Sequence, residues 1–225
     1  MIDKIICENK FGSDINEILI ALLQYAQKGN PLLDKVDREF YNKVRYSYRN
    51  NTKDFPDWLY GNVAFLASYN GKGFSGGYAK PVCEKTKTGV RYRDYYAEGK
   101  KNLEKQAKNN LFKDINFTVL DYKNICNSNF CKFTSMIYCD PPYANMTNYD
   151  SKNFNHNEFW KCIRKISNSN FVLISEQNAP ADFISIWEKP VVRTLNVSNK
   201  SKSTEKLFTY KDGLYHKWFQ KQKGW

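Results

Sequence analysis

Asp140-Pro141-Pro142-Tyr143 follows directly on the apolar run Met136-Ile137-Tyr138-Cys139. A carboxylate, two prolines and an aromatic ring at a strand end make a rigid pocket edge rich in hydrogen-bond acceptors. Proline has a fixed φ and no N–H, so the Pro141 carbonyl stays aimed and no donor competes with it. Tyr143 offers a face on which a flat ring can stack. The chemistry this suggests is transfer of a methyl group to an amino nitrogen. An amine on an aromatic ring is a poor nucleophile because its lone pair is delocalised into the ring. Acceptors at its hydrogens, here the Asp140 carboxylate and the Pro141 carbonyl, favour a pyramidal nitrogen whose lone pair can meet an electrophile. Catalysis is then mainly positioning and electrostatics. Taken alone, Pro-Pro after a strand also reads as a simple turn, so its setting decides.

The setting is a series of short apolar runs. Phe117-Thr118-Val119-Leu120, Met136–Cys139 and Phe171-Val172-Leu173-Ile174 each read as a strand buried on both faces. Between the last two, Phe159, Trp160, Ile163 and Ile166 recur along one side of a helix. His156, within Asn155-His156-Asn157, falls at that helix's start. Nearer the N-terminus, Phe11-Gly12-Ser13-Asp14 reads as a strand end. Ile15, Ile18, Leu19, Leu22, Leu23 and Ala26 then follow at helical spacing until Gly29-Asn30-Pro31 stops the run. Strand–helix alternation predicts an α/β fold with a parallel sheet. The spacing further predicts a helix over 94–110, a glycine-rich loop over 70–93, a short helix from Pro180 to Trp187, and late strands at Val191–Val197 and Leu207–Tyr210. Residues 31–111, aromatic and basic, read as an insertion into a domain made of 1–30 and 112–225.

Parallel sheets bind ligands at the carboxyl ends of their strands. Asp14, Asp121-Tyr122, Asp140–Tyr143 and Ser175-Glu176-Gln177-Asn178 all fall at such ends. Asp14 could equally be a helix N-cap, and Asp121 a cap for a helix over 122–126. It is the convergence of several polar groups on one rim that makes a candidate site.

The chain has 225 residues, 41% hydrophobic and 16% aromatic, enough for a substantial core, and a formal charge of +12. Residues 72–108 hold ten Lys/Arg against four Asp/Glu, and 199–225 hold seven Lys against two acids. Charge clustered in this way suggests a phosphate-facing surface. No stretch approaches the roughly 18 apolar residues of a membrane span, and there is no secretory h-region, so a cytoplasmic location is expected. Six scattered cysteines, with Cys126 and Cys131 as a lone pair, point to reduced thiols and not to a metal site.

With these residues in view, the chain resembles the α-group, Dam-like DNA adenine-N6 methyltransferases, especially their phage-type members. The resemblance runs over nearly the whole chain. Its marks are Gly12-Ser13-Asp14-Ile15-Asn16, the aromatic-glycine stretch Gly71–Tyr78, Asn102-Leu103, Leu120-Asp121-Tyr122, Asp140–Tyr143, Phe159-Trp160 and Leu173-Ile174-Ser175-Glu176. It implies a Rossmann-like S-adenosylmethionine-dependent methyltransferase sheet carrying a mostly helical target-recognition domain at 31–111. Asp14 would bind the cofactor's ribose hydroxyls, and Asp121 with Tyr122 would border its adenine. Asp140, Pro141, Pro142 and Tyr143 would hold a target adenine flipped out of double-stranded DNA. Lys72, Lys80, Arg91, Arg93, Lys200 and Lys202 would face DNA, although solvated lysines read just as well at the last two. A role in restriction-modification, or as a phage orphan enzyme, would follow.

One departure stands against this. The family's Phe-x-Gly-x-Gly loop precedes its acidic ribose ligand, yet only thirteen residues precede Asp14 and none form such a loop. Met1–Ile6 reads as the helix that would follow it. The expectation is a fold lacking its first strand, with weak or no methyl transfer by the chain alone and an N-terminal fragment supplied separately. Two alternatives remain: a DNA-binding module that has lost catalysis, and a methyltransferase for RNA or protein glutamine. Relatives of the latter kind usually carry Asn at the position of Asp140.

Overall fold

The computed structural model describes residues 6–86, 89–127, 135–143, 154–196 and 199–222, and the side chains of 84, 86 and 191–203 fall outside that description. The protein is mixed α/β and forms two compact units that divide between Asp121 and Tyr122.

In the first unit, β1 (Lys10–Asp14) runs parallel to β4 (Ile115–Val119), with Lys10 opposite Ile115 and Asp14 opposite Val119. Helix α1 (Glu17–Gln27) connects out of β1. Its N-cap is Asn16, whose side chain accepts from the Leu19 N–H at 3.1 Å. Helix α1 serves two apolar clusters. Ile18 joins Val36, Tyr41, Val44, Tyr60 and Val63. Ile20, Leu22 and Ala26 join Leu103, Phe112, Ile115 and Phe117. Polar contacts reinforce the second seam: the Gln24 amide donates to the Phe117 carbonyl at 2.9 Å, and the Gln27 amide to that of Ile115 at 2.6 Å.

Between α1 and β4 lie α2 (Arg38–Arg49), α3 (Asp57–Gly61), a π turn (Asn62–Leu66), two 3-10 turns (Tyr69–Gly71 and Gly73–Ser75), the antiparallel hairpin β2 (Val82–Thr86) and β3 (Gly89–Arg93), then α4 (Tyr95–Ala107) and α5 (Asn110–Lys113). Residues of this segment pack with α1 in both clusters. Within the stretch expected to be loop, Val82–Thr86 and Gly89–Arg93 pair as antiparallel strands. Their residues alternate in side, which the neighbouring glycines and the high charge obscure.

The second unit holds α6 (Tyr122–Asn127), β5 (Met136–Cys139), α7 (His156–Ile166), β6 (Phe171–Glu176), β7 (Phe183–Asn196), β8 (Asn199–Tyr210) and α8 (Leu214–Gln222). The sheet order is β5-β6-β8-β7, parallel between β5 and β6 and antiparallel elsewhere. Asn155 caps α7, accepting from the Glu158 N–H at 3.1 Å. Phe159, Trp160, Ile163 and Ile166 of α7 bury themselves against Val172 and Ile174. The short helix expected over Pro180–Trp187 is absent. Phe183-Ile184-Ser185-Ile186-Trp187 is rich in β-branched and aromatic residues and extends into β7, with a bulge between Ser185 and Trp187. Strand β5 also departs from expectation: Met136 is 66% and Tyr138 39% exposed, so one of its faces is open. Cys126 pairs with Cys162 in a disulfide joining α6 to α7, where reduced thiols are expected from the sequence, while Cys131 lies outside the described residues. Of the helix expected over Met1–Ile6, residues 1–5 lie outside the described part and Ile6 is not helical.

Helix α3 approaches α1 at a glycine. A Cβ on Gly61 would stand 2.1 Å from the Ile18 carbonyl oxygen and 2.9 Å from the Leu22 Cβ. The obstacle is helix backbone, which cannot rotate aside. Gly61→Ala should therefore destabilise the first unit by about 3 kcal/mol, at the upper end of overpacking costs; a urea melt with an unchanged midpoint would contradict this close approach.

Candidate functional site

Burial in β6 fixes which side chains can meet. Val172, Ile174 and Glu176 are buried, and the first two pack against α7. Phe171, Leu173 and Ser175 must point to the other face, because successive strand residues alternate. In the parallel register Tyr138 lies opposite Leu173 and Cys139 opposite Ile174, which brings Asp140, one step on, beside Ser175. In the antiparallel register Ser175 lies opposite Leu207, two residues from Glu205 on β8. Tyr138, Asp140, Ser175 and Glu205 thus share one face, at the carboxyl end of the parallel pair.

The contacts agree with this arithmetic. The Tyr143 and Ser175 hydroxyls are hydrogen-bonded at 2.9 Å. Pro141 is buried, while Asp140 and Pro142 keep access to solvent. Partial burial, and then the negative charge of Glu205, push the Asp140 carboxyl above the usual carboxylate range. Burial, followed by the Asp140 charge, pushes the Cys139 thiol up to about 12. Cys139 is therefore protonated at neutral pH and cannot serve as a thiolate nucleophile. Burial raises the Tyr138 phenol, with the nearby Ser175 hydroxyl opposing and the charges of Asp140 and Glu205 assisting. The resulting rim carries an ionisable acceptor, a neutral phenol and an anchored aromatic ring. It suits a planar ligand with an amino edge. Glu176 takes no part on this face; it is buried, and its Oε1 accepts from the Gln177 N–H at 2.8 Å.

In the first unit, Asp14 ends β1 and is exposed. It does not cap α1, since Asn16 does. Instead its Oδ1 accepts from the Asn16 N–H at 2.8 Å. Its carbonyl accepts from the Leu120 N–H at 3.1 Å, which sets Asp14 and the residue before Asp121 at one strand end. Asp14 therefore keeps carboxylate acceptors turned to solvent, as a vicinal diol would require. Asp121 immediately precedes α6, and Tyr122, the first residue of the second unit, packs its ring on Phe154 and Phe159 of that same unit, at 5.5 and 5.4 Å. Beside α1, an open cleft of about 250 Å³ is lined by Glu17, Gln24, Asp57 and Val119, an acidic lining unsuited to phosphate.

Lys72 and Lys80 are exposed in the turn-rich segment. Arg91 and Arg93 share one carboxylate, that of Glu98, at 3.3 and 3.1 Å, and the Arg93 guanidinium lies 4.5 Å from the Tyr95 ring centre. On the other face of the hairpin Val90 and Tyr92 are 71% and 65% exposed. Lys200 and Lys202 lie in β8 opposite Thr194 and Val192, with side chains outside the described residues. Among the described residues no group of His, Cys, Asp and Glu is placed to hold a metal, and no helix is long and apolar enough to cross a membrane.

The chain matches no protein-family model and no curated protein.

Tyr138 and Glu205 were not anticipated. Tyr138 had a readable signal, since a strand residue two before Asp140 must share its face. Glu205 had none, because its place depends on the register between two strands far apart in sequence.

A proton on Asp140 is favoured by folding, so the associated stability is full below the ordinary value of 3.8 and lost as pH rises through the raised value. Asp140→Asn should consequently raise Tm at pH 7, with the gain shrinking as pH falls toward 4. A gain independent of pH, or a loss at pH 7, would refute the carboxylate crowding.

Proposed function

We propose that this chain is a DNA adenine methyltransferase of the Dam-like type, moving a methyl group from S-adenosylmethionine to the exocyclic amino group of a flipped adenine. The carrying observation is the conjunction, at the carboxyl end of β5 and β6, of the Asp140 carboxylate, buried Pro141 and a Tyr143 ring anchored by its hydroxyl to Ser175. This rim fits an aromatic amine better than an aliphatic one. Tyr143 binds through a ring face, and Asp140 accepts from an N–H at the ring edge. Supporting the same reading, β1 pairs with β4 alone among the described strands, and β5 with β6 alone, in short parallel ladders of the kind a larger Rossmann-like sheet contains.

The protein's own part in the reaction is to bind and orient. Asp140 accepts one amino hydrogen and withdraws the nitrogen lone pair from ring conjugation. The Pro141 carbonyl, on a backbone of fixed φ, is the second acceptor. Tyr143 covers the ring and fixes the angle at which the lone pair emerges. As positive charge develops on nitrogen, Asp140 and Glu205 stabilise it, because both carboxylates are already in place. The Asp14 carboxylate would hold the ribose diol of S-adenosylmethionine, and Asp121 with Tyr122 would border its adenine; the cofactor supplies an electrophilic methyl. Exposed Lys72 and Lys80 and the β2–β3 hairpin, with Arg91, Arg93 and Tyr92, would contact DNA phosphates and bases.

The second reading is a DNA-binding module without catalysis. It is favoured by the β2–β3 hairpin, whose arginines and exposed Val90 and Tyr92 could meet DNA without any cofactor. Unmethylated bacterial genomic DNA and methyl-tritiated S-adenosylmethionine separate the two. Label recovered as N6-methyladenine, however weak, and lowered by about 100-fold or more in Asp140→Ala, supports the transferase. DNA binding with neither label nor cofactor binding heat supports the module. If the protein binds neither ligand, both readings fall.

A further inference from the structure

We infer that Ser175 is a positioning residue for Tyr143: its hydroxyl clamps the Tyr143 phenol to the end of β6, so that the ring offers its face, and not its hydroxyl, to a ligand. The inference deepens the proposed transferase reading and rests on it for its functional meaning, although the clamp itself is a property of the fold.

Three observations carry it. The hydroxyls of Tyr143 and Ser175 are 2.9 Å apart. Tyr143 follows two prolines, so its backbone leaves the strand with little freedom up to that point. A phenol has two soft torsions, however, and nothing in Pro141-Pro142 decides where its ring turns. A fixed partner at the hydroxyl end decides it. Ser175 supplies that partner near the end of β6, where Val172 and Ile174 before it and Glu176 after it are buried, so that the face it presents is fixed.

The consequence is chemical. With its hydroxyl occupied, Tyr143 contributes stacking without competing for the ligand's edge, and the amino edge is left to Asp140. Tyr143→Phe should then keep the ring yet lose its orientation, acting in the same direction as Ser175→Ala. Because each change removes the same bond, the two should not add.

The test places 3-fluorotyrosine at position 143 in the full chain and reads its ¹⁹F resonance without ligand. A single resonance displaced from the free amino-acid position is expected for the parent chain. It should move toward the free position in Ser175→Ala and be restored in Ser175→Thr, which keeps the hydroxyl. An unchanged resonance in Ser175→Ala overturns the clamp, as does a shift that Ser175→Thr leaves uncorrected. Methyl transfer to genomic DNA is the second readout. Ser175→Ala and Tyr143→Phe should each lower kcat/KM about 5- to 10-fold, near the worth of one hydrogen bond, and the double substitution no further. If the resonance responds as expected while the parent chain transfers no methyl group, the clamp stands and the transferase reading fails. If transfer occurs and Ser175→Ala leaves it unchanged, the transferase reading stands and the functional inference fails.

Discussion

The alternation of β6 is the constraint on which the candidate site depends. Helix α7 has one apolar side, and it takes Val172 and Ile174. With those two residues committed, Ser175 has no choice of face. The partner registers then carry Asp140 and Glu205 to the same surface. A slip of one residue would send Ser175 into the apolar core and Ile174 to solvent. The chemistry on one side of the sheet is thus held in place by hydrocarbon on the other. The Arg164–Asp182 pair, with contacts at 2.5 and 2.9 Å, adds to this by fixing α7 to the segment ahead of β7.

The first unit solves a different problem. Its helix α1 must serve two apolar clusters while starting from a strand end that carries Asp14. Asn16 takes over the capping of the helix, which leaves Asp14 with a single local bond. Close approach at Gly61 lets α3 lie directly on the α1 backbone, and the glutamine amides of α1 reach the carbonyls of β4 and its approach. The aromatic and basic segment between α1 and β4 is consequently built onto the same helix that leaves the strand end.

Much of this was legible in the residues. The helical spacing of Ile18, Leu22 and Ala26 and of Phe159, Trp160, Ile163 and Ile166 marked α1 and α7, because each has one wet side. The runs at 117–120, 136–139 and 171–174 marked strands for the same reason of composition. They did not reveal that β5 keeps Met136 and Tyr138 exposed, since an apolar run tells what a strand could bury and not what arrives to cover it. The segment 183–187 misled because Pro180 suggested a helix start, whereas a pairing partner some twenty residues on draws it into β7. The pairing of Cys126 with Cys162 was hidden in the same way, by the fold that brings α6 against α7. At the site, Asp140 to Tyr143 announced itself, and Glu205 could be found only through three strands of register.

The sharing of Glu98 by Arg91 and Arg93 has a consequence for any polyanion that meets the hairpin. These guanidinium groups already possess an internal counter-ion. A phosphate arriving there exchanges one anion for another, and displaces fewer condensed cations' worth of free energy than two unpaired arginines would claim. Two formal charges at this place should therefore count for less than two in the dependence of affinity on salt. The protein's excess of positive charge, large on paper, overstates the number of ionic contacts it has ready to make.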